Sequence, residues 1–143
     1  MPPACPVVVF ICTRNAGKSQ MAEAITRKYA GTDVEVHSTG TAPKGSVNQL
    51  SIVAVAEIGA SMDDAVSSEI DTNLLRRADR VIVLGAEAVL DPVSGMVVTP
   101  EIWITDEPSL RGIDGIERMR LIRDDIERRV RSLLTELGVS RKS

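Results

Sequence analysis

The sequence is poor in the residues that most often build binding platforms. Phe10, Tyr29 and Trp103 are its only aromatics, so no surface for stacking nucleic-acid bases can be assembled, and the core must come from Val, Ile, Leu, Ala and Met. His37 is the single histidine; with no second His or Cys beside it in sequence, it reads as a packed or surface side chain, and a metal site, which needs convergent ligands, is not expected. Two cysteines, Cys5 and Cys12, are too few for a disulfide framework. No apolar run is long enough for a signal core or a membrane span, and no basic stretch opens the chain, so a cytoplasmic protein without membrane attachment is expected. A basic excess is also missing: the net charge of -3 argues against a nucleic-acid backbone as partner, while leaving room for one small anion held locally.

What is present fits one compact domain over residues 1–143, with 43% hydrophobic and 26% charged residues, as in ordinary globular proteins. The β-branched run at residues 7–11 predicts a strand buried on both faces. A glycine-bearing turn follows, and residues 19–30 place Met21, Ala22, Ile25 and Tyr29 at helical spacing until Gly31 stops them. Residues 34–38 alternate as a second, less buried strand, and residues 40–45 form a loop rich in Gly and Pro. Asn48 caps a helix over residues 49–58, ended by Gly59. A short helix lies within residues 67–78, a third buried strand spans 80–84, and residues 86–97 read as loop. Residues 97–104 predict a fourth strand interrupted by Pro100, which implies an edge or a bend. After a loop over residues 106–113, a long helix from Gly115 to Gly138 carries Ile116, Met119, Ile122, Ile126, Val130, Leu133 and Leu137 on one stripe. Its arginines, Arg118, Arg120, Arg123, Arg128, Arg129 and Arg131, alternate with Asp124, Asp125 and Glu127 and read as a salt-bridged solvated face. The alternation of strands and helices predicts an α/β fold: a four-stranded parallel sheet flanked by helices on both faces.

In such a sheet, ligands bind beyond the carboxyl ends of the strands, where Cys12 falls. The loop Cys12-Thr13-Arg14-Asn15-Ala16-Gly17-Lys18-Ser19 can turn its backbone N–H groups onto an anion, reinforced by the positive end of the following helix. The same field favours a thiolate over a thiol. Ser19 can donate a hydrogen bond to that sulfur and Lys18 can hold an oxyanion. Cys12, Lys18 and Ser19 are therefore the candidate catalytic residues, with Thr13, Arg14, Asn15, Ala16 and Gly17 as the substrate-binding loop. Arg14 and Lys44 stand as rim residues that either guide an anion or are simply solvated. Cys5, among prolines with no such loop after it, reads as inert.

The stretch from Val9-Phe10-Ile11-Cys12 through Asn15, then Ser19-Gln20-Met21-Ala22-Glu23-Ala24, with Ser38-Thr39-Gly40-Thr41 downstream, resembles the low-molecular-weight phosphotyrosine phosphatase and arsenate reductase superfamily. Its loop is Cys, five residues, Arg, then Ser or Thr, and Lys18 stands where the Arg is expected. Arg grips equatorial oxygens with a planar fork whereas Lys is a point charge, which counts against phosphotyrosine hydrolysis. The run Asn15-Ala16-Gly17-Lys18-Ser19-Gln20-Met21, with Val47-Asn48-Gln49-Leu50-Ser51, is similar to the arsenate-mycothiol transferases. That resemblance implies arsenate or a phosphate-like oxyanion as substrate, mycothiol as co-substrate, a mycoredoxin downstream and no metal. Thioredoxin-coupled relatives carry two further cysteines in the second half; no cysteine follows Cys12 here, so a thiol must come from outside. The resemblance also implies a general acid, an Asp just before a Pro after the fourth strand. Trp103-Ile104-Thr105-Asp106-Glu107-Pro108 offers Glu107 by position and Asp106 by type, either of which would need its pKa raised by burial or a negative neighbour to protonate a leaving hydroxide.

Three other readings compete. Gly17-Lys18-Ser19 after a strand, with residues 102–107 as a second acidic strand, imitates a nucleotide-binding P-loop, but Cys12 replaces its first glycine. A phosphatase of the same superfamily would turn over aryl phosphates through Cys12. A non-catalytic module would bind the anion and do nothing further.

Overall fold

Six consecutive buried side chains, Val7–Cys12, make β1, the central strand of the sheet. A strand apolar on both faces is stable only when covered on both, and the computed structural model supplies that cover. The structure describes residues 5–13, 17–40, 48–62, 69–85, 90 and 93–139. Along them run β1, α1 (Lys18–Ala30), β2 (Glu35–Gly40), α2 (Gln49–Ala56), α3 (Thr72–Arg77), β3 (Arg80–Leu84), β4 (Glu101–Trp103) and α4 (Gly115–Glu136), with short 3-10 turns at Gly31–Asp33 and Pro108–Arg111. All strand pairings are parallel and the order is β2-β1-β3-β4. The chain leaves β1 toward β2 on one side and returns to β3 on the other. A crevice therefore opens at the carboxyl ends of β1 and β3, the place where α/β sheets bind ligands.

One face of the sheet packs Val8, Phe10, Val36, Ile82 and Leu84 against Met21 and Ile25 of α1, Ala54 and Val55 of α2, and the α4 stripe Met119, Ile122, Ile126, Val130, Leu133. The other face packs Val7, Val9, Ile11, Val81 and Val83 under Leu74 and Leu75 of α3. The scarce aromatics meet here: Phe10 and Trp103 lie 5.7 Å apart between ring centroids, a favourable tilted geometry. Asp79 anchors the start of β1, its carboxylate accepting the Val7 N–H at 2.7 Å while its own N–H reaches the Val7 carbonyl at 2.8 Å.

The four-stranded parallel sheet with helices on both faces is the architecture expected from the sequence. The fourth strand is shorter than expected, because Pro100 has no N–H to give a ladder and pairing with β3 begins only at Glu101. The helix capped by Asn48, whose side chain accepts the Ser51 N–H at 3.1 Å, is α-helical to Ala56 and then turns through Gly59 at φ 84°. The loop expected over residues 106–113 contains the 3-10 turn Pro108–Arg111, closed by Gly112 in the left-handed region at φ 77°. Of the loops expected over residues 40–45 and 86–97, residues 41–45, 86–89 and 91–92 lie outside the described residues. Among the described residues no helix is long and apolar enough to cross a membrane.

Candidate active site

β1 delivers Cys12 to its carboxyl end, in register with Gly40 of β2, and Gly17 is the N-cap of α1. The Cys12 Sγ and Ser19 Oγ are 2.9 Å apart and buried. Burying a serine and a glutamine, Ser19 and Gln20, at the mouth of a helix costs solvation that an ordinary surface helix start avoids. The N-cap of α1 is Gly17, which has no side chain to cap the helix, and no acid sits in its first turn. Such a helix end concentrates unshielded positive field on whatever lies before it. What lies before it is the sulfur of Cys12.

Lys18, the first residue of α1, points its ammonium to Glu107 at 3.6 Å. Of the two carboxylates expected near Pro108, the structure thus brings Glu107 to the loop. Asp106 turns away and takes a two-pronged contact from Arg111, at 2.8 and 3.1 Å. The Arg111 hydrogen bonds hold the Asp106 carboxyl below its ordinary pKa. For Glu107, burial pulls upward, but hydrogen bonds from Arg118 and Ser109 and the charge of Lys18 outweigh it, and this carboxyl too sits below its ordinary value. Neither group has the raised pKa that a resting general acid needs. Thr13 and Gly17 flank the loop, while Arg14, Asn15 and Ala16, with Lys44, lie outside the described residues. Cys5 is exposed, its sulfur 3.3 Å from the Thr32 carbonyl oxygen, beyond the opposite end of β1. Among the described residues no cluster of His, Cys, Asp and Glu could hold a metal ion.

Several residues of this region were not singled out from the sequence. Thr39 at the end of β2, Ser51 in α2 and Thr105 after β4 each bury a hydroxyl that has no hydrogen-bond partner. Ser51 Oγ lies 3.9 Å from where a Cβ on Gly17 would sit, against the candidate loop. The salt-bridged face assigned to α4 needs correction at two positions. Asp125 is buried, accepting the Asp106 N–H at 2.7 Å and contacts from Arg128 at 2.8 Å and Arg129 at 3.1 Å, while Arg129 also bonds the Ile104 carbonyl at 2.8 Å. Arg118, half-buried, takes Glu107 as its partner. The signal for Asp125 is its place one position before Ile126 and three after Ile122, which puts a carboxylate at the border of the apolar stripe. Arg120 behaves as expected, pairing with Glu57 at the surface, whereas Arg123, its side chain only 11% exposed, is drawn in to Glu57 and the Ala54 carbonyl.

Comparison with known proteins agrees with this geometry. An arsenate reductase of Halalkalibacterium halodurans is 34% identical over 130 residues, 88% of this chain and 93% of that protein. The solved thioredoxin-dependent arsenate reductase of Corynebacterium glutamicum superposes with a TM-score of 0.76 at 30% identity; the match covers 96% of this chain and 64% of that longer one. An arsenate reductase solved in its phosphate-binding state gives a TM-score of 0.73 at 25% identity, over 92% of this chain and 98% of the other. With the family model itself matching residues 7–143, the chain belongs to the low molecular weight phosphotyrosine protein phosphatase family.

Proposed function

We propose that the protein is a thiol-dependent arsenate reductase of the arsenate-mycothiol transferase type, with Cys12 as the sulfur that meets arsenic. The observation that carries this reading is the buried Cys12–Ser19 pair, 2.9 Å apart, which joins the end of β1 to the first turn of α1. The amides of the first turn of α1 hold the oxyanion, Lys18 adds a full positive charge, and Ser19 steadies the thiolate by donating to it.

In this reading the Cys12 thiolate attacks dihydrogen arsenate. A sulfur–arsenic bond forms, an arsenic–oxygen bond breaks, and water leaves with both protons that arsenate carried; arsenic stays pentavalent. The thiol of mycothiol then attacks arsenic, releases Cys12 and gives its proton to it. A mycoredoxin thiolate finally attacks the mycothiol sulfur, forming a disulfide. The electron pair of the sulfur–arsenic bond stays on arsenic, which departs as arsenite after taking up protons. The separation of the two cysteines favours an outside thiol. The only other cysteine in the 143 residues is Cys5, and seven residues of near-extended chain put the two sulfurs about 20 Å apart, whereas a disulfide needs Cα atoms within about 7 Å.

The similarity to a thioredoxin-dependent arsenate reductase favours a second donor, a protein dithiol that resolves the Cys12 adduct directly. Arsenite formation by the purified protein, measured with mycothiol and mycoredoxin, with glutathione and glutaredoxin, and with thioredoxin, separates these. Turnover in the mycothiol arm, with little hydrolysis of an aryl phosphate, is the expected result. Arsenite in the thioredoxin arm alone replaces the donor. Vigorous aryl phosphate hydrolysis with no arsenite in any arm removes the proposal in favour of a phosphatase.

A further inference from the structure

Among the described residues, Glu107 is the carboxylate that touches Lys18, yet its surroundings suit a fixed charge. From the first turns of α4, Arg118 lays its guanidinium across both oxygens, Nε to Oε2 at 3.1 Å and Nη2 to Oε1 at 3.1 Å. Ser109 donates to Oε2 at 3.1 Å, and the Lys18 ammonium stands 3.6 Å from Oε1. Among the described residues, Lys18 from α1 and Arg118 from α4 are the charged groups in contact with it, while its neighbour Asp106 is turned to Arg111. A general acid must carry a proton on one oxygen and present it to the leaving group. Here either oxygen, once protonated, would confront a cationic donor.

This bears differently on the two substrate classes such a loop can hold. Dihydrogen arsenate brings the protons that turn its departing oxygen into water. A phosphomonoester dianion brings none, and its leaving alkoxide or aryloxide depends on a proton from the protein. We infer that Arg118 is a specificity-determining positioning residue: its fork keeps Glu107 as a carboxylate and so starves ester leaving groups of a proton, biasing the site toward arsenate and against phosphomonoesters. This inference rests on the arsenate reading given above.

The test compares the wild type with Arg118→Met, Arg118→Lys and the double variant Arg118→Met with Glu107→Gln. p-Nitrophenyl phosphate hydrolysis is followed across the acid to neutral range, beside arsenite formation with the active thiol donor. Freeing an acid is expected to raise kcat/KM for the ester by about tenfold or more in Arg118→Met, with a rate that falls as Glu107 loses its proton at higher pH. The double variant should lose the gain, Arg118→Lys should show a smaller one, and arsenite formation by Arg118→Met should change by less than about threefold, since that step draws no proton from Glu107. An unchanged ester rate in folded Arg118→Met, or in Arg118→Lys should the first variant not fold, overturns the inference. So does a gain that survives Glu107→Gln. A wild type that makes no arsenite while Arg118→Met gains esterase activity through Glu107 would sink the arsenate reading and leave the Arg118 fork as the brake on ester hydrolysis.

Discussion

Asp125→Ala tests whether the long helix holds the segment that carries Asp106 and Glu107. The carboxylate is 6% exposed and accepts the Asp106 N–H at 2.7 Å. A hydrogen bond to a charged acceptor is worth about 1.5–3 kcal/mol. Its two arginine partners add less, because Arg128 is 74% and Arg129 34% exposed, where solvent screens most of the attraction. Alanine also leaves the Asp106 N–H without its acceptor. A loss of about 2–3 kcal/mol follows. A chain of this length has an unfolding entropy near 0.3 kcal/mol/K, so the melting temperature should fall by about 7–10 °C. Asp125→Asn keeps an oxygen for the N–H and should lose about half as much. Trp103 is the only tryptophan and sits in β4 beside this segment, so its fluorescence during urea unfolding reports both variants. Stability of Asp125→Ala within about 0.5 kcal/mol of the wild type would refute the reasoning, and Asn as costly as Ala would move the effect from the N–H to the charge.

Acid titration should expose the surface pairs. Hydrogen bonds from Arg120, and next from Arg123, lower the Glu57 pKa from 4.5 to about 2; contacts from Arg77, and next from His37, do the same to Glu35. A depressed folded pKa means the stabilisation is present above pH 4.5 and fades as pH falls toward about 2. The stability deficit of Glu57→Gln should therefore shrink over that window, read by urea midpoints at stepped pH, and a constant deficit would contradict the assignment. Ile126→Ala empties a fully buried position of the α4 stripe and should lower unfolding free energy by about 2–5 kcal/mol; a loss under 1 kcal/mol, in the same urea assay, would mean the stripe is not core. Cys5→Ser should leave activity and stability near wild type, since Cys5 is exposed and its contact among the described residues is with the Thr32 carbonyl.

The pattern of the chain announces the sheet because the pattern is what the sheet requires. A strand covered on both faces must be apolar without alternation, and residues 7–11 and 80–84 are; a one-sided helix must show a stripe, and residues 116–137 do. The placement of Cys12, Lys18 and Ser19 about a helix start was legible for the same reason, since a strand, a tight loop and a helix in succession leave little choice of geometry. What could not be read was direction. Arg118 and Arg120 lie two residues apart among the same charges and are about equally exposed, yet one is aimed at Glu107 and the other at Glu57, a choice set by tertiary neighbours. Glu107 and Asp106 likewise both sat within reach of the acid's place, and only the fold decides which contacts Lys18. The environments of both carboxylates, fixed by Arg111 and Arg118 from elsewhere in the chain, lie beyond any local motif.

Arsenite release by the Cys12→Ser variant, with the thiol donor that supports the wild type and with Cys5→Ser as the paired control, is the most direct test of the whole account. Replacing the attacking sulfur with a hydroxyl should remove turnover by about a thousandfold or more while the urea midpoint stays in place, and Cys5→Ser should release arsenite at the wild-type rate. Arsenite formed at a comparable rate by folded Cys12→Ser would mean that arsenic never bonds to this sulfur.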